Sequence, residues 1–372
     1  MTEVAVDAVA GASPLSALDE AQVAAALGRL GRALVQQPPK ALAANTGLAR
    51  EWARVAIGRS TVTPDPGDKR FAHPAWSRNP LYRRMGQGYL AWRRSVLDLV
   101  DDLSLDEKSR LRSRFVAGLL TEAAAPTNSL LGNPAALGEA VRTRGRSLLN
   151  GSRHYLHDLR ANGGMPSMVD TRPFVVGETL AATAGAVVYR DEVLELLQYR
   201  PLTAQVHTRP LFVVPPQINK YYVLDLAPGR SLAEAALEAG QQVFMVSWRN
   251  PRPEHAAWTL DTYVTSLLAA TDATREITGQ ADLNLLGVCA GGITSAGLLG
   301  YLAATGDDRV HSVTFLVTAL DWDVPSTMGT FASGPSVSAA MARSRRKGVL
   351  EGRELAGTFA WLRPNDLVWN TG

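Results

Sequence analysis

The sequence predicts an α/β fold: a mostly parallel sheet in the second half of the chain, behind a mainly helical N-terminal half. Three observations carry this. From about Thr179 onward, short apolar runs alternate with helical patterns, as strand–helix–strand crossovers require. Before that point, apolar residues recur mostly at helical spacing. The third is one run, Leu283-Asn284-Leu285-Leu286-Gly287-Val288, which ends in Gly-x-Cys-x-Gly and leads into an Ala-, Leu- and Gly-rich stretch, Ile293 to Ala304, that reads as a helix. The domains are accordingly set at 1–178 and 179–372.

In chain order, Met1 to Ser16 is small and alanine-rich and reads as a tail. Val23, Leu27, Leu30 and Leu34 repeat at helical spacing, and Pro38-Pro39 stops that helix. Thr61 to Asp68, with Pro64 and Pro66, is a loop. Leu81, Met85, Tyr89, Trp92 and Val96 mark an amphipathic helix, and 106–124, 134–150 and 153–161 read as helices too.

In the second half, Val187-Val188-Tyr189 and Leu194 to Tyr199 read as strands. Leu211-Phe212-Val213-Val214 is a buried strand closed by Pro215-Pro216. A helix over 231–239, a strand over 243–248 and a helix over 260–277 follow, then the Gly-x-Cys-x-Gly strand and a last strand over 310–317. Ligands of such sheets bind at the carboxyl ends of the strands, which is where Cys289 falls.

Strand, tight turn and helix are the context of a nucleophile elbow, so the fold is of α/β-hydrolase type with Cys289 as the candidate nucleophile. The apex backbone of such a turn is strained, and the flanking glycines let strand and helix approach. The alternative use of this only cysteine is as a small buried apolar residue. Pro215 to Tyr222 follows the first core strand, where such enzymes take a second oxyanion donor. The backbone N–H of Ile218 with that of Ala290 is the candidate pair. The alternative is a structural turn, since prolines cannot donate.

Composition narrows the classes. A net charge of +3 over 372 residues, with no zinc-like or RNA-binding pattern, gives no reason to expect nucleic acid. A single cysteine excludes an internal disulfide and fits a reducing cytoplasm. The N-terminus lacks a signal-peptide pattern, and no eighteen-residue apolar window suggests a transmembrane segment. His73 reads as a histidine satisfied within its loop, and Trp52, Trp76 and Trp92 as packing residues or a hydrophobic contact surface.

At these residues the chain resembles the polyhydroxyalkanoate synthases. The resemblance is carried by Gly-Val-Cys-Ala-Gly-Gly from Gly287, Pro-Pro-Gln-Ile-Asn-Lys-Tyr-Tyr-Val-Leu-Asp-Leu from Pro215 and Val-Ser-Trp-Arg-Asn-Pro from Val246. Phe71 to Trp76, Asn79-Pro80-Leu81 and Leu362 to Trp369 add to it, so it runs from about residue 70 to 370. It implies an acyltransferase that polymerises (R)-3-hydroxyacyl-CoA through an acyl-cysteine, with no metal or redox cofactor and CoA thioester as substrate. It also implies a cytoplasmic protein at polyester granule surfaces, as a homodimer or a heterodimer with an intact synthase.

One departure follows. The triad Asp and His of the resembled family come after the point where this chain stops, as in a C-terminal truncation, a frameshifted gene or a shortened paralogue. Only His311 follows Cys289, and it opens a strand. Asp321 and Asp323 read as solvated or capping carboxylates rather than a triad acid, and Arg343 to Lys347 as a solvated basic face rather than a CoA phosphate site. The missing base favours, for the isolated polypeptide, a second reading: a non-catalytic protein that binds granules or pairs with an intact synthase through its N-terminal half.

Overall fold

A computed structural model describes residues 20–161, 166–167, 169–170 and 172–322, then 324, 326, 329, 334–350, 352 and 359. The tail reading for Met1 to Ser16, Asp323 and the Leu362 to Trp369 motif lie outside the described residues. The chain divides into two compact units, the first running through Val169 and the second taking Asp170–Asp323; short later segments are shared between them.

The first unit is helical. It contains α1 (Glu20–Gln36), α2 (Pro38–Ala56), the single turn α3 (Ala75–Arg78), α4 (Pro80–Asp102), α5 (Glu107–Ala123), α6 (Pro134–Arg142) and α7 (Arg146–Ala161). Local chemistry sets the starts. Asn79 Oδ1 accepts from the N–H groups of Leu81 and Tyr82, Asp106 caps α5 through Ser109 N–H, and Asn133 caps α6. Pro80 and Pro134 occupy first-turn positions, where their missing N–H costs nothing.

Two sequence expectations change here. Pro38-Pro39 ends α1 but also opens α2, for the same first-turn reason. The single helix expected over 134–150 is two helices, broken where Arg144 and Gly145 take positive φ values of 53° and 83°. This unit has an aliphatic cluster of Leu97, Val100 and Ala117 and a second cluster that is largely aromatic. Trp76 meets Phe71 edge-on at 4.8 Å and Tyr82 at 5.5 Å, and a Cβ on Gly86 would lie 3.0 Å from the Trp76 ring. Trp76 is thus a packing residue, while Trp52 is half exposed with its indole N–H donating to Gly88 O. His73 Nδ1 accepts from Ala75 N–H, a local cap.

The second unit is a six-stranded sheet: β1 (Gly185–Arg190), β2 (Leu194–Tyr199), β3 (Leu211–Val214), β4 (Val243–Trp248), β5 (Leu283–Val288) and β6 (Val310–Leu316), in the order β1-β2-β4-β3-β5-β6. The last four strands are parallel, and β1 and β2 form an antiparallel hairpin on the β4 side. The connecting helices are α8 (Leu232–Glu238), α9 (Leu260–Thr278) and α10 (Ala290–Thr305), and α11 (Gly334–Lys347) comes later. Alternate residues of one strand feed two cores. Phe212, Val214, Phe244, Val246, Leu283 and Leu285 pack with Leu267 and Leu298 of α9 and α10. Val213, Val243, Met245 and Val288 pack with Leu237 of α8. Burial on both faces is why these strands read as mostly apolar runs rather than as alternating ones.

β6 is the outer strand, and Val313, Leu316 and Val317 are 39%, 42% and 76% exposed. Its outer row of N–H and C=O groups has no strand partner among the described residues, a template for pairing between chains. The 372-residue chain is therefore expected to self-associate at micromolar concentration, and Val313→Lys to weaken this. Light scattering of both forms checks it; a monodisperse parent with a cooperative thermal transition contradicts it.

Candidate active site

The elbow forms where β5 ends and α10 begins. Cys289, the N-terminal flanking residue of α10, has φ 52° and ψ −122°, far from the favoured regions for a residue with a side chain. Such a conformation costs on the order of 1–3 kcal/mol and persists only where its surroundings over-determine it. They do. Cys289 N–H donates to Leu316 O of β6 at 2.9 Å, and its own carbonyl accepts from the N–H groups of Gly292 and Ile293.

Three glycines make this turn sterically possible. A Cβ on Gly287 would lie 2.8 Å from Gly292 Cα, so strand and helix touch there. One on Gly291 would lie 2.2 Å from Val214 O and 2.4 Å from Pro215 O, and one on Gly292 would meet the Thr318 side chain at 2.1 Å. Thr318 arrives by way of Val317, a β-branched residue at φ 46°. That contact was not legible in the sequence.

β3 pairs with β5 in register up to Val214 opposite Gly287, so the segment from Pro215 emerges beside the elbow. Its near end is pinned twice. The buried indole N–H of Trp248 donates to Pro215 O at 2.7 Å, and Gln217 Nε2 donates to Thr294 Oγ1 of α10 at 2.8 Å. Lys220 has φ 66° and ψ 168°, a region held almost only by glycine, and burial pushes its ammonium pKa below the usual lysine range. At the far end Asp225, 1% exposed, accepts from Thr183 (2.6 Å), Ser231 (2.7 Å) and Tyr199 (3.2 Å). Ile218, the second candidate donor, lies within this anchored segment.

The histidines of this unit lie elsewhere or are engaged. His311 sits at the amino end of β6, at the level of Leu283 and Asn284, 3.7 Å from Asp282 Oδ2. Five residues of strand separate that level from Cys289, roughly 17 Å. His207 Nε2 lies 3.2 Å from Ala239 O. His255 is buried, stacks on Trp258 at 4.1 Å and accepts from Arg252 N–H through Nδ1, a capping role the sequence did not reveal. Asp321 is exposed just past β6, and the basic run closes α11 with Arg345 and Arg346 exposed.

Comparison with known proteins adds to the geometry. Residues 67–236 match the family description "Poly-beta-hydroxybutyrate polymerase (PhaC) N-terminus", and 210–371 match "alpha/beta hydrolase fold". The chain is 48% identical to "Poly(3-hydroxyalkanoate) polymerase 1" of Ectopseudomonas oleovorans over 91% of its own length and 60% of the relative's. Over most of its own length the chain is thus similar to poly(3-hydroxyalkanoate) polymerases. It is also 49% identical to polymerase 2 of the same organism, over 87% of this chain and 58% of that one. With the polymerase subunit of Cupriavidus necator it shares 41% over 86% and 55%. The chain thus spans about three fifths of the length of these curated synthase relatives. Among the described residues no helix is long and apolar enough to cross a membrane.

Proposed function

We propose that this chain is an acyltransferase that takes (R)-3-hydroxyacyl groups from CoA thioesters onto Cys289 as the first half of polyester synthesis. The observation that carries the reading is the placement of the lone cysteine at the strained apex between β5 and α10, in a chain whose relatives are named poly(3-hydroxyalkanoate) polymerases. The Cys289 thiolate attacks the thioester carbonyl, the carbon–sulfur bond to CoA breaks, and CoA leaves as the thiol after taking a proton. One thioester replaces another, so the step is close to balanced in free energy. The free N–H groups at the start of α10 favour negative charge there. The Ala290 and Ile218 N–H groups serve the oxyanion of the tetrahedral intermediate.

In the second half-reaction the hydroxyl of another hydroxyacyl unit attacks acyl-Cys289 and the cysteine thiolate leaves. That step needs a base, and neither half-reaction uses a metal or a redox cofactor. The position of His311 and the engagement of His255 favour a second reading for these 372 residues: a protein that binds the polyester granule surface, or that pairs with an intact synthase, without sustained turnover. A cytoplasmic place at granules fits both readings.

Incubation with (R)-3-hydroxybutyryl-CoA followed by peptide mass spectrometry tests the acylation. One hydroxyacyl group is expected on the Cys289 peptide and none on Cys289→Ala. Label on other residues with Cys289 unmodified removes the proposal.

A further inference from the structure

Helix α7 takes no part in the site described above. Its only buried residue is Asp158, also its only acidic one, which accepts from Ser167 N–H at 3.2 Å and from Ser167 Oγ–H at 2.5 Å. Ser147 and Leu159 are half-buried, and the other residues of the helix are exposed. Leu148, Leu149, Tyr155 and Leu156 are 45%, 63%, 60% and 49% exposed. At ~100° per residue, these four side chains fill one arc of about 120°.

A line of cations borders that arc. Arg146, Arg153 and Arg160 are exposed and recur every seven residues, so each sits nearly above the last along the edge carrying Leu149 and Leu156. No ion pair among the described residues neutralises them. α7 thus presents a cationic line about 21 Å long beside an apolar patch about 12 Å long.

We propose that α7 docks on an anionic phospholipid surface, with its leucines and Tyr155 in the acyl boundary and its three arginines on the headgroup phosphates. An apolar arc bordered by arginines is the composition of helices that lie in a lipid interface. The charge selects this occupant. A second copy would set arginine line against leucine face with no exposed carboxylate on α7 to meet it. A neutral polyester surface would take the leucines and leave the arginines without counter-charge.

Flotation of the full 372-residue chain on density gradients tests this, because self-associated protein sinks while vesicle-bound protein rises. The probes are vesicles of phosphatidylcholine alone, vesicles with about 30 mol % phosphatidylglycerol, and phospholipid-free poly(3-hydroxybutyrate) particles. Flotation with the anionic vesicles is expected at low salt and is expected to fall as salt rises. Each arginine near such a surface contributes roughly a fivefold change, so replacing all three by glutamine should weaken partitioning roughly a hundredfold. Leu149→Ser with Leu156→Ser should also release the chain, and circular dichroism matching the parent shows that both variants keep their fold. Equal partitioning into neutral and anionic vesicles overturns the proposal. So does binding to polyester particles that the arginine changes leave intact, or a dimer that the leucine changes dissolve while anionic vesicles stay bare.

Discussion

Gly291→Ala is expected to abolish acylation of Cys289 and to destabilise the second unit by at least ~3 kcal/mol. The added methyl would sit 2.2 Å from Val214 O and 2.4 Å from Pro215 O, which are backbone atoms at the end of a buried strand. No side-chain rotation can relieve that contact. Overpacking usually costs about 1–3 kcal/mol, and a clash against two carbonyls that cannot yield belongs at or above the top of that range. Gly292→Ala is the internal comparison, because its methyl meets the side chain of Thr318 rather than backbone. Thr318→Ala should recover part of the stability lost in Gly292→Ala and none of that lost in Gly291→Ala. Urea unfolding of the single and double variants measures this, with mass spectrometry of the Cys289 peptide as the functional readout. Normal acylation in Gly291→Ala would mean that the turn yields more readily than its contacts imply.

The second large effect is expected at Asp225. Its buried carboxylate accepts from three hydroxyls, and its backbone carbonyl accepts from Ala181 N–H at 2.8 Å. Asp225→Ala takes the carboxylate from the Thr183, Ser231 and Tyr199 hydroxyls, leaving Ser231 only Leu224 O at 3.5 Å and Tyr199 only the Met245 sulfur at 3.8 Å, at a cost of about 3 kcal/mol. Asp225→Asn keeps one acceptor oxygen and should cost roughly 1–2 kcal/mol. Both changes loosen the far end of the segment that carries Ile218, so acylation should slow even where the protein stays folded. The same network has an alkaline signature. Burial first, and then the Asp225 carboxylate, raise the Tyr199 phenol above the usual tyrosine range. A raised folded-state value means that this contribution to stability is complete below about pH 10, the unfolded value, and is lost as pH climbs toward the folded value. Tyr199→Phe should flatten that part of the stability profile. Equal stability of parent and Asp225→Ala would remove the network from the account.

The fold was legible in the sequence where one physical demand dominated a stretch. β3, β4 and β5 are buried on both faces, so each had to be a predominantly apolar run, and the structure begins and ends them at the residues the runs mark. The elbow was legible because a positive-φ apex between a strand and a helix demands glycines at fixed positions. Prolines were less informative: Pro38 stops one helix and starts another, and only tertiary packing separates the two uses. The break at Arg144-Gly145 was hidden because neither residue interrupts the apolar spacing around it. The contacts that hold the site, Trp248 to Pro215, Thr318 to Gly292 and the hydroxyls around Asp225, join residues far apart in sequence. No local pattern records them.

We propose that Cys289 accepts an acyl group and that the second step then stalls for want of a base, since His311 opens β6 beside Asp282 while His207 and His255 are engaged with backbone. Free thiolate can form without a histidine, especially beside a helix N-terminus, so acylation remains open to the chain. An alcohol loses its proton far less readily, and general-base help is typically worth about 10²–10⁴-fold. The measurement is CoA release from (R)-3-hydroxybutyryl-CoA over many potential turnovers, with Cys289→Ala as the blank. The expected result is a release that stops at no more than one CoA per chain and yields no polymer. Sustained release with polymer formation, abolished by Cys289→Ala, would contradict the account and place a base within these 372 residues.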